Sequence, residues 1–199
     1  MTLNECLNML LIKLLQWLIS LFNKDVTIES GKTEERIVSG DPKWLVLGIK
    51  DVGFQEIGVN RGIEQFIKSA KTGSIGDPWC AIWINAKLED SGVPGSRSAM
   101  ARSFESHTNF RKIEGPARGA IGTMWRGSRT AGTGHVFFYV GHDSQGRTIG
   151  IAGNQGDGVK YAPQDASRII GYYWPKNQPA PVVGKVTIGG DYKAAAKET

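Results

Sequence analysis

Cys80 is the residue whose type and position best suit chemistry. It follows Asp77, Pro78 and Trp79 in the sequence. Asp is a favoured N-cap residue and Pro is favoured at the first helical position, so this run predicts a helix that carries Cys80 in its first turn. The free N–H groups at a helix start stabilise a thiolate and can donate to an oxyanion. Cys80 is therefore a candidate nucleophile, and a small buried cysteine is the alternative interpretation.

A cysteine nucleophile needs a base within hydrogen-bond reach, and the sequence contains 3 histidines. His135 opens an apolar run that predicts a core strand, so its side chain can face a cleft at the start of the strand. His142 lies at the far end of the same run, in a polar turn with Asp143, and we expect it to be solvated. His107 has no neighbour in the sequence that suits chemistry. His135 is therefore the candidate base.

An imidazole base needs a partner that fixes its tautomer. Asn154 follows the next predicted strand, and two antiparallel strands joined by the turn at 143–146 would bring it close to His135. An asparagine can accept the ring N–H, as in Cys-His-Asn sites. Asp157 is a second candidate for this role. A turn residue before Gly156 is the alternative interpretation of Asn154.

Residues near these positions in the sequence are candidates to line the site: Asp77, Trp79, Trp83 and Trp125. Packing in the core is an equally good interpretation of each tryptophan. A zinc hydrolase would need three or four convergent ligands, and neither a His-Glu-x-x-His motif nor a metal-type cysteine spacing is present. We therefore expect no metal and no other cofactor.

The composition is that of a soluble globular protein, with 199 residues, 40% hydrophobic and 22% charged. This length suits one domain with extensions. The net charge of +5 attracts polyanions such as nucleic acid, an anionic cell wall or an anionic membrane. Because the basic residues are scattered and no nucleic-acid fold signature is present, we expect no nucleic-acid partner. Cys6 and Cys80 lie far apart and imply no disulfide framework.

The patterning divides the chain into four parts. Residues 1–24 predict an amphipathic, hydrophobic helix, 25–43 a polar linker, 44–176 the catalytic domain and 177–199 a flexible tail. Within the domain, the predicted helices span 44–51, 62–70 and 77–91, and the predicted strands span 120–126, 134–141, 148–152 and 169–174. Helices followed by strands indicate an α+β domain with an antiparallel sheet.

The Leu-rich stretch at 3–22 has three open interpretations: attachment to or insertion in a membrane, docking with a partner helix, and packing on the domain. Its polar residues, among them Glu5, Asn8 and Lys13, make it a poor membrane span. The positive start and the small-residue cleavage site of a signal peptide are not visible.

Residues 44–175 resemble the CHAP and NlpC/P60 peptidoglycan hydrolases, most closely a branch found in phage lysins and bacterial wall-degrading proteins. Five pieces carry the resemblance in the same order along the chain: 77–81 (Asp-Pro-Trp-Cys-Ala), 95–103, 134–136 (Gly-His-Val), 153–155 (Gly-Asn-Gln) and 170–175. Upstream, residues 53–60 resemble the entry segment of the family, with Glu56 at an acidic position.

The resemblance implies a papain-like domain in which the nucleophile lies on a helix N-terminus packed against an antiparallel β-sheet. It implies Cys80 as nucleophile, His135 as base, Asn154 as orienting residue and Gln155 as a neighbour of the site. The implied substrate is bacterial peptidoglycan, cut at an amide bond of the stem peptide or cross-bridge by an amidase or endopeptidase. The implied place of action is the cell wall or periplasm, with membrane or virion association through residues 3–22.

Three departures from the family pattern leave other functions open. Ala152 stands where many CHAP enzymes have a glutamate, Ala120 follows Gly119 where the family often has an aspartate, and an Asp-rich calcium loop is not evident. One alternative is a catalytically weak papain-like module that binds cell wall or builds a virion. The other is a cysteine enzyme that acts on a protein substrate.

Overall fold

Helices come first and strands follow along the part of the chain that this computed structural model describes, residues 37–190 and 192–193. The α-helices are α1 (Lys43–Lys50), α2 (Glu64–Ala70) and α3 (Cys80–Asp90). The strands are β1 (Phe110–Ile113), β2 (Ile121–Trp125), β3 (Gly134–His142), β4 (Thr148–Ala152), β5 (Lys160–Gln164) and β6 (Ile169–Pro175). Short 3-10 helices span Ala101–Glu105 and Ala166–Arg168.

The six strands form one antiparallel sheet in the order β1-β6-β2-β3-β4-β5. Strands β2 to β5 are successive neighbours, and β6 returns to pair with β2 on its other side. The expected α+β class with an antiparallel sheet is confirmed, and so are the three helices and four strands predicted in the domain, with small shifts at their ends.

Strands β1 and β5, which are the two edges of the sheet, were not predicted from the sequence. Edge strands are often short and interrupted by charge or proline because pairing on one side tolerates both. Strand β1 includes Arg111 and Lys112, and β5 includes Lys160 and Pro163. These residues hide the alternating apolar pattern that marks the inner strands.

Helix α3 forms the centre of the core against one face of the sheet. All its residues from Cys80 to Leu88 are buried. The ring of Trp83 lies 5.5 Å from that of Phe138 on β3. It also contacts Gly48 of α1, where an added Cβ would come within 2.9 Å of the ring. The alternation of β3 directs Phe137 and Tyr139 to a smaller cluster on the other face.

The tail expected to be flexible packs on the domain as far as the structure describes it. The Ile188 N–H donates to His142 O at 2.7 Å, and the His142 N–H donates to Val186 O at 2.6 Å. Ile188 is 3% exposed and Tyr192 is 6% exposed. Gly141 allows this approach, because a Cβ there would lie 2.7 Å from the Ile188 side chain. Ile188 and Tyr192 therefore extend the core, whereas residues 182–185 are exposed.

The end of the predicted linker is also anchored, because the Asp41 carboxylate accepts from Arg118 at 2.6 and 3.0 Å. Residues 25–36 of that linker and the predicted helix at 1–24 lie outside the described residues. Within residues 37–190 and 192–193, no helix is long and apolar enough to cross a membrane.

Truncation of Ile188 tests whether the tail contributes to the core. We expect Ile188→Ala to lower the free energy of unfolding by about 2 kcal/mol, because it leaves a cavity against Gly141. Val182 is the matched control, since it belongs to the same segment and is 92% exposed. Val182→Ala should change stability by less than about 0.5 kcal/mol in urea denaturation. Equal effects of the two variants would mean that the tail does not pack in solution.

Candidate active site

Cys80 is the first residue of α3, and Trp79 is the N-cap. The Trp83 N–H donates to Trp79 O at 2.9 Å and closes the first turn. The prediction that Asp77 caps the helix is wrong, because its carboxylate accepts from the Ser74 N–H at 2.8 Å in the preceding turn. The helix therefore begins later than expected, and Cys80 lies closer to its N-terminus.

The Cys80 thiol lies where β3 and β4 separate. The Tyr139 N–H donates to Ala120 O, so odd-numbered residues of β3 bond towards β2 and even-numbered ones towards β4. Strand β4 ends at Ala152, and its last register pair with β3 is Phe138 with Ile151. The Val136 N–H therefore points past the end of β4, and it is one of the backbone donors that act to lower the pKa of the Cys80 thiol.

Burial controls the ionisation of this thiol. Cys80 is 4% exposed, and this burial raises the pKa of the thiol above its usual value. The positive charge of Arg126 and the N–H groups of Val136, Ala81 and Cys80 itself act to lower the pKa, but they do not outweigh burial. The predicted stabilisation at the helix start is present, yet the resting thiol stays protonated at neutral pH.

His135 is fully buried and directly precedes Val136 on β3. Its ladder partner on β2 is Met124, so the two side chains share one face of the sheet. Helix α3 packs on the other face, where Trp83 contacts Phe138. The role of His135 as the base of Cys80 therefore stays a prediction.

Asn154 lies in the turn after β4. It is 3% exposed and has a left-handed φ of 59°, which asparagine tolerates better than most residues. The preceding Gly153 lies directly on α3, because a Cβ there would be 2.5 Å from the Trp79 ring and 2.8 Å from Trp83 Cβ. The start of α3 therefore packs against the turn. Asp157, the second candidate for the orienting role, is exposed.

The other predicted site residues divide into structural and surface groups. Trp79 and Trp83 are fully buried and donate to Glu56 at 2.6 Å and Asp51 at 2.9 Å, so both are core residues. Gln155 is also buried and holds the turn by donating to Lys160 O at 2.5 Å. Trp125 is half-buried at the end of β2, where it pairs with Gly134. Of the three candidate tryptophans, it is the one that is not fully buried.

Sequence reasoning missed Arg126, whose charge acts on the Cys80 thiol and whose position follows from the pairing of β2 with β3. The stretch 53–60 was singled out, but its partner was not: the segment 53–57 pairs with 156–159, where the Gly53 N–H donates to Val159 O at 3.0 Å and the Glu56 N–H to Asp157 O at 2.9 Å. No local pattern marks such long-range pairing.

The other two histidines lie at the far end of β3 and in the segment before β1. His142 was expected to be solvated, but it is half-buried, with Nδ1 2.7 Å from the Tyr139 hydroxyl and Nε2 3.3 Å from Thr148 Oγ1. Burial, followed by the charge of Lys185, lowers the pKa of His142. His107 is half-buried against Phe110.

Among the described residues, no group of three or more His, Cys, Asp or Glu side chains could hold a metal ion. Comparisons with protein-family models, with curated proteins and with solved structures find no match for this chain.

A side chain at position 153 should disturb the site. We expect Gly153→Ala to lower the free energy of unfolding by about 1–3 kcal/mol, since the new methyl group would overlap Trp79. Gly132→Ala is the control, because its Cβ would meet only Met100, at 3.9 Å. Urea denaturation measures the stability, and labelling of Cys80 by a thiol reagent should rise in Gly153→Ala alone. A fully stable Gly153→Ala protein would contradict the contact.

The raised pKa of Cys80 predicts a stability change in mild alkali. The unfolded thiol ionises near pH ~8.5 and the folded thiol at a higher pH, so between these values the unfolded chain binds fewer protons. The stability contribution is therefore present below the unfolded pKa and declines above it, by up to about 1.4 kcal/mol per pH unit. Unfolding free energies at pH 7.5 and 9.5 should differ more for the wild type than for Cys80→Ala. Equal pH dependence would contradict the raised pKa.

Proposed function

We propose that this protein is a papain-like cysteine hydrolase that cleaves an amide bond in the peptide part of bacterial peptidoglycan, as an amidase or endopeptidase. One observation carries the catalytic part: Cys80 is the first residue of α3, where backbone N–H groups, among them that of Val136 next to His135 in the sequence, favour an anionic sulfur. Asn154 adds support, because it follows Gly153, which packs on Trp79 at the start of α3. The substrate rests on the resemblance of the five sequence pieces.

The proposed reaction passes through an acyl-enzyme. His135 takes the proton of the Cys80 thiol as the sulfur attacks the amide carbonyl, and Asn154 orients the imidazole. N–H groups at the start of α3 stabilise the oxyanion. The C–N bond then breaks, and the leaving amine takes the proton from His135. Water, deprotonated by His135, attacks the thioester and releases the acid, and the proton returns to the sulfur.

The raised pKa of Cys80 determines how the first step proceeds. A thiol that is protonated at rest cannot act through a thiolate–imidazolium pair formed in advance. Proton transfer to His135 then accompanies the attack. The net charge of +5 supports work at an anionic cell wall, where it favours long-range attraction.

The second candidate function is a papain-like module with weak or no catalysis, which binds the cell wall or builds a virion. The observation that favours it is the burial of the thiol, because reactive cysteines are usually partly exposed and have a lowered pKa. Retention of Cys80, His135 and Asn154 together favours the enzyme.

Mass spectrometry of purified peptidoglycan after incubation with the protein tests the proposal. We expect new muropeptide ends with the wild type and none with Cys80→Ala or His135→Ala, because these variants lack the nucleophile or the base. Asn154→Ala should cleave more slowly, by about ten-fold or more, since orientation of the base is lost. A freed lactyl group would identify an amidase, and a new peptide amine would identify an endopeptidase.

His107→Ala is the matched control and should cleave like the wild type, because His107 packs on Phe110 and has no role in the proposed reaction. Cleavage by Cys80→Ala at the wild-type rate would refute the mechanism. If the wild type binds peptidoglycan in a pull-down but produces no new ends, the binding module replaces the enzyme.

A further inference from the structure

A short hairpin with an exposed apolar tip precedes α2. The Ile57 N–H donates to Arg61 O at 3.0 Å and the Arg61 N–H donates to Ile57 O at 3.3 Å, so the chain reverses over residues 58–60. Asn60 has a left-handed φ of 53° in this turn. Ile57 is 71% exposed and Val59 is 78% exposed. The hairpin therefore holds two β-branched apolar side chains in water.

Hydrogen bonds fix this hairpin to the residues that lead into Cys80. The Asn60 side chain donates to Asp77 O at 2.8 Å. One oxygen of the Glu56 carboxylate accepts from the Asn60 N–H at 3.1 Å, and the other accepts from Trp79 Nε1 at 2.6 Å. Trp79 is fully buried and directly precedes Cys80. The hairpin therefore has a fixed position relative to the start of α3.

The base of the hairpin is fixed to the turn that carries Asn154. The Gln55 side chain donates to Asp157 O at 2.6 Å, and the Glu56 N–H donates to the same oxygen at 2.9 Å. The segment 55–60 thus bonds both to the residues before α3 and to the turn after β4. It lies along the boundary between these two parts of the proposed site.

A third apolar side chain, that of Ile75, is exposed in the turn that Asp77 closes. The Asp77 N–H donates to Ser74 O at 3.2 Å, and its carboxylate accepts from the Ser74 N–H at 2.8 Å. Because Asp77 O also accepts from the Asn60 side chain, this turn and the tip of the hairpin are joined directly.

We call Ile57, Val59 and Ile75 together the apolar rim. Six large apolar side chains are exposed among the described residues, and these three are half of them. Single exposed apolar side chains are common, but several on loops that are held together are typical of a binding surface. Because hydrogen bonds hold the two loops in place beforehand, binding to the rim costs little ordering of the chain.

We infer that the apolar rim binds the peptide part of peptidoglycan beside the bond that Cys80 attacks. This inference rests on the proposed function and names the part of the substrate that the site recognises. The glycan strand presents mainly hydroxyl and amide groups, whereas the peptides carry methyl groups and aliphatic chains that can be buried against isoleucine and valine. A peptide bound on the rim has the start of α3 as its neighbour, because the rim is bonded to the residues before Cys80.

Initial rates of cleavage by the full chain over a range of peptidoglycan concentrations test the rim. We expect the double variant Ile57→Ser with Val59→Ser to need about ten-fold more peptidoglycan for half of its maximal rate, because apolar contacts are lost. Its maximal rate should stay at the wild-type level, since the rim contacts the substrate equally before and during the reaction. Ile57→Val with Val59→Ile keeps the apolar surface and should cleave like the wild type.

Val182→Ser with Val183→Ser is the matched control, because it removes two exposed apolar side chains from the tail. Both kinetic values should stay at the wild-type level. Urea denaturation identifies any variant that has lost its fold, and folded variants are compared. Wild-type kinetics in the serine variant of the rim, or an equal change in the tail variant, would overturn the inference.

Binding of the Cys80→Ala protein separates this inference from the proposed catalysis. The protein is sedimented with intact peptidoglycan, with glycan strands stripped of their peptides, and with phosphatidylglycerol vesicles. We expect the two serine substitutions in the rim to weaken binding to intact peptidoglycan alone. An equal loss on stripped glycan, or a loss on vesicles alone, would assign the rim to the glycan or to a membrane and overturn the inference.

The cleavage and binding results together show which proposal fails. A chain that binds peptidoglycan through the rim but cuts nothing refutes the catalysis and supports the rim. A chain that cuts peptidoglycan with the rim variant unaffected refutes the rim alone. A chain that neither binds nor cuts peptidoglycan refutes both.

Discussion

The packing of the start of α3 against β3 and the turn after β4 is the constraint on which the arrangement of the candidate site depends. Strand β4 ends at Ala152, so the Val136 N–H of β3 points past it and is one of the backbone donors that act on the Cys80 thiol. This arrangement ties the first residue of α3 to the sheet. The direct packing of Gly153 on Trp79 then brings Asn154 to the same end of the helix.

The same packing explains why the thiol is so deeply buried. Cys80 and the residues that follow it on α3 are buried against the sheet, and this burial raises the pKa of the thiol. Three N–H groups and one arginine act in the opposite direction. The ground state is therefore a neutral thiol with donors already arranged for an anion. Such a site does not lose stability to a buried charge at rest, and it is organised for the charge that develops on attack.

Local chemistry in the sequence predicted much of this arrangement. The apolar runs of β2, β3, β4 and β6 and the pattern around Cys80 were sufficient for the α+β class, since inner strands and buried helices carry unbroken patterns. The start of α3 was misplaced because Asp77 has a competing acceptor role with Ser74, which is a tertiary detail of the preceding turn. The edge strands, the packed tail at Ile188 and the solvent exclusion of Cys80 depend on long-range contacts that no local pattern records.

The aromatic residues around Cys80 link the site to the core. Trp79 precedes the nucleophile candidate, lies against Phe66 and Phe54, and donates to Glu56. Glu56 in turn accepts from the Asn60 N–H at 3.1 Å, and its own N–H pairs with the turn that carries Asn154. A change in any of these residues would therefore alter both the stability of the domain and the geometry between α3 and the 153–159 turn. Because the core residues themselves position Cys80 and Asn154, the separation between these two residues is set by packing and not by a flexible loop.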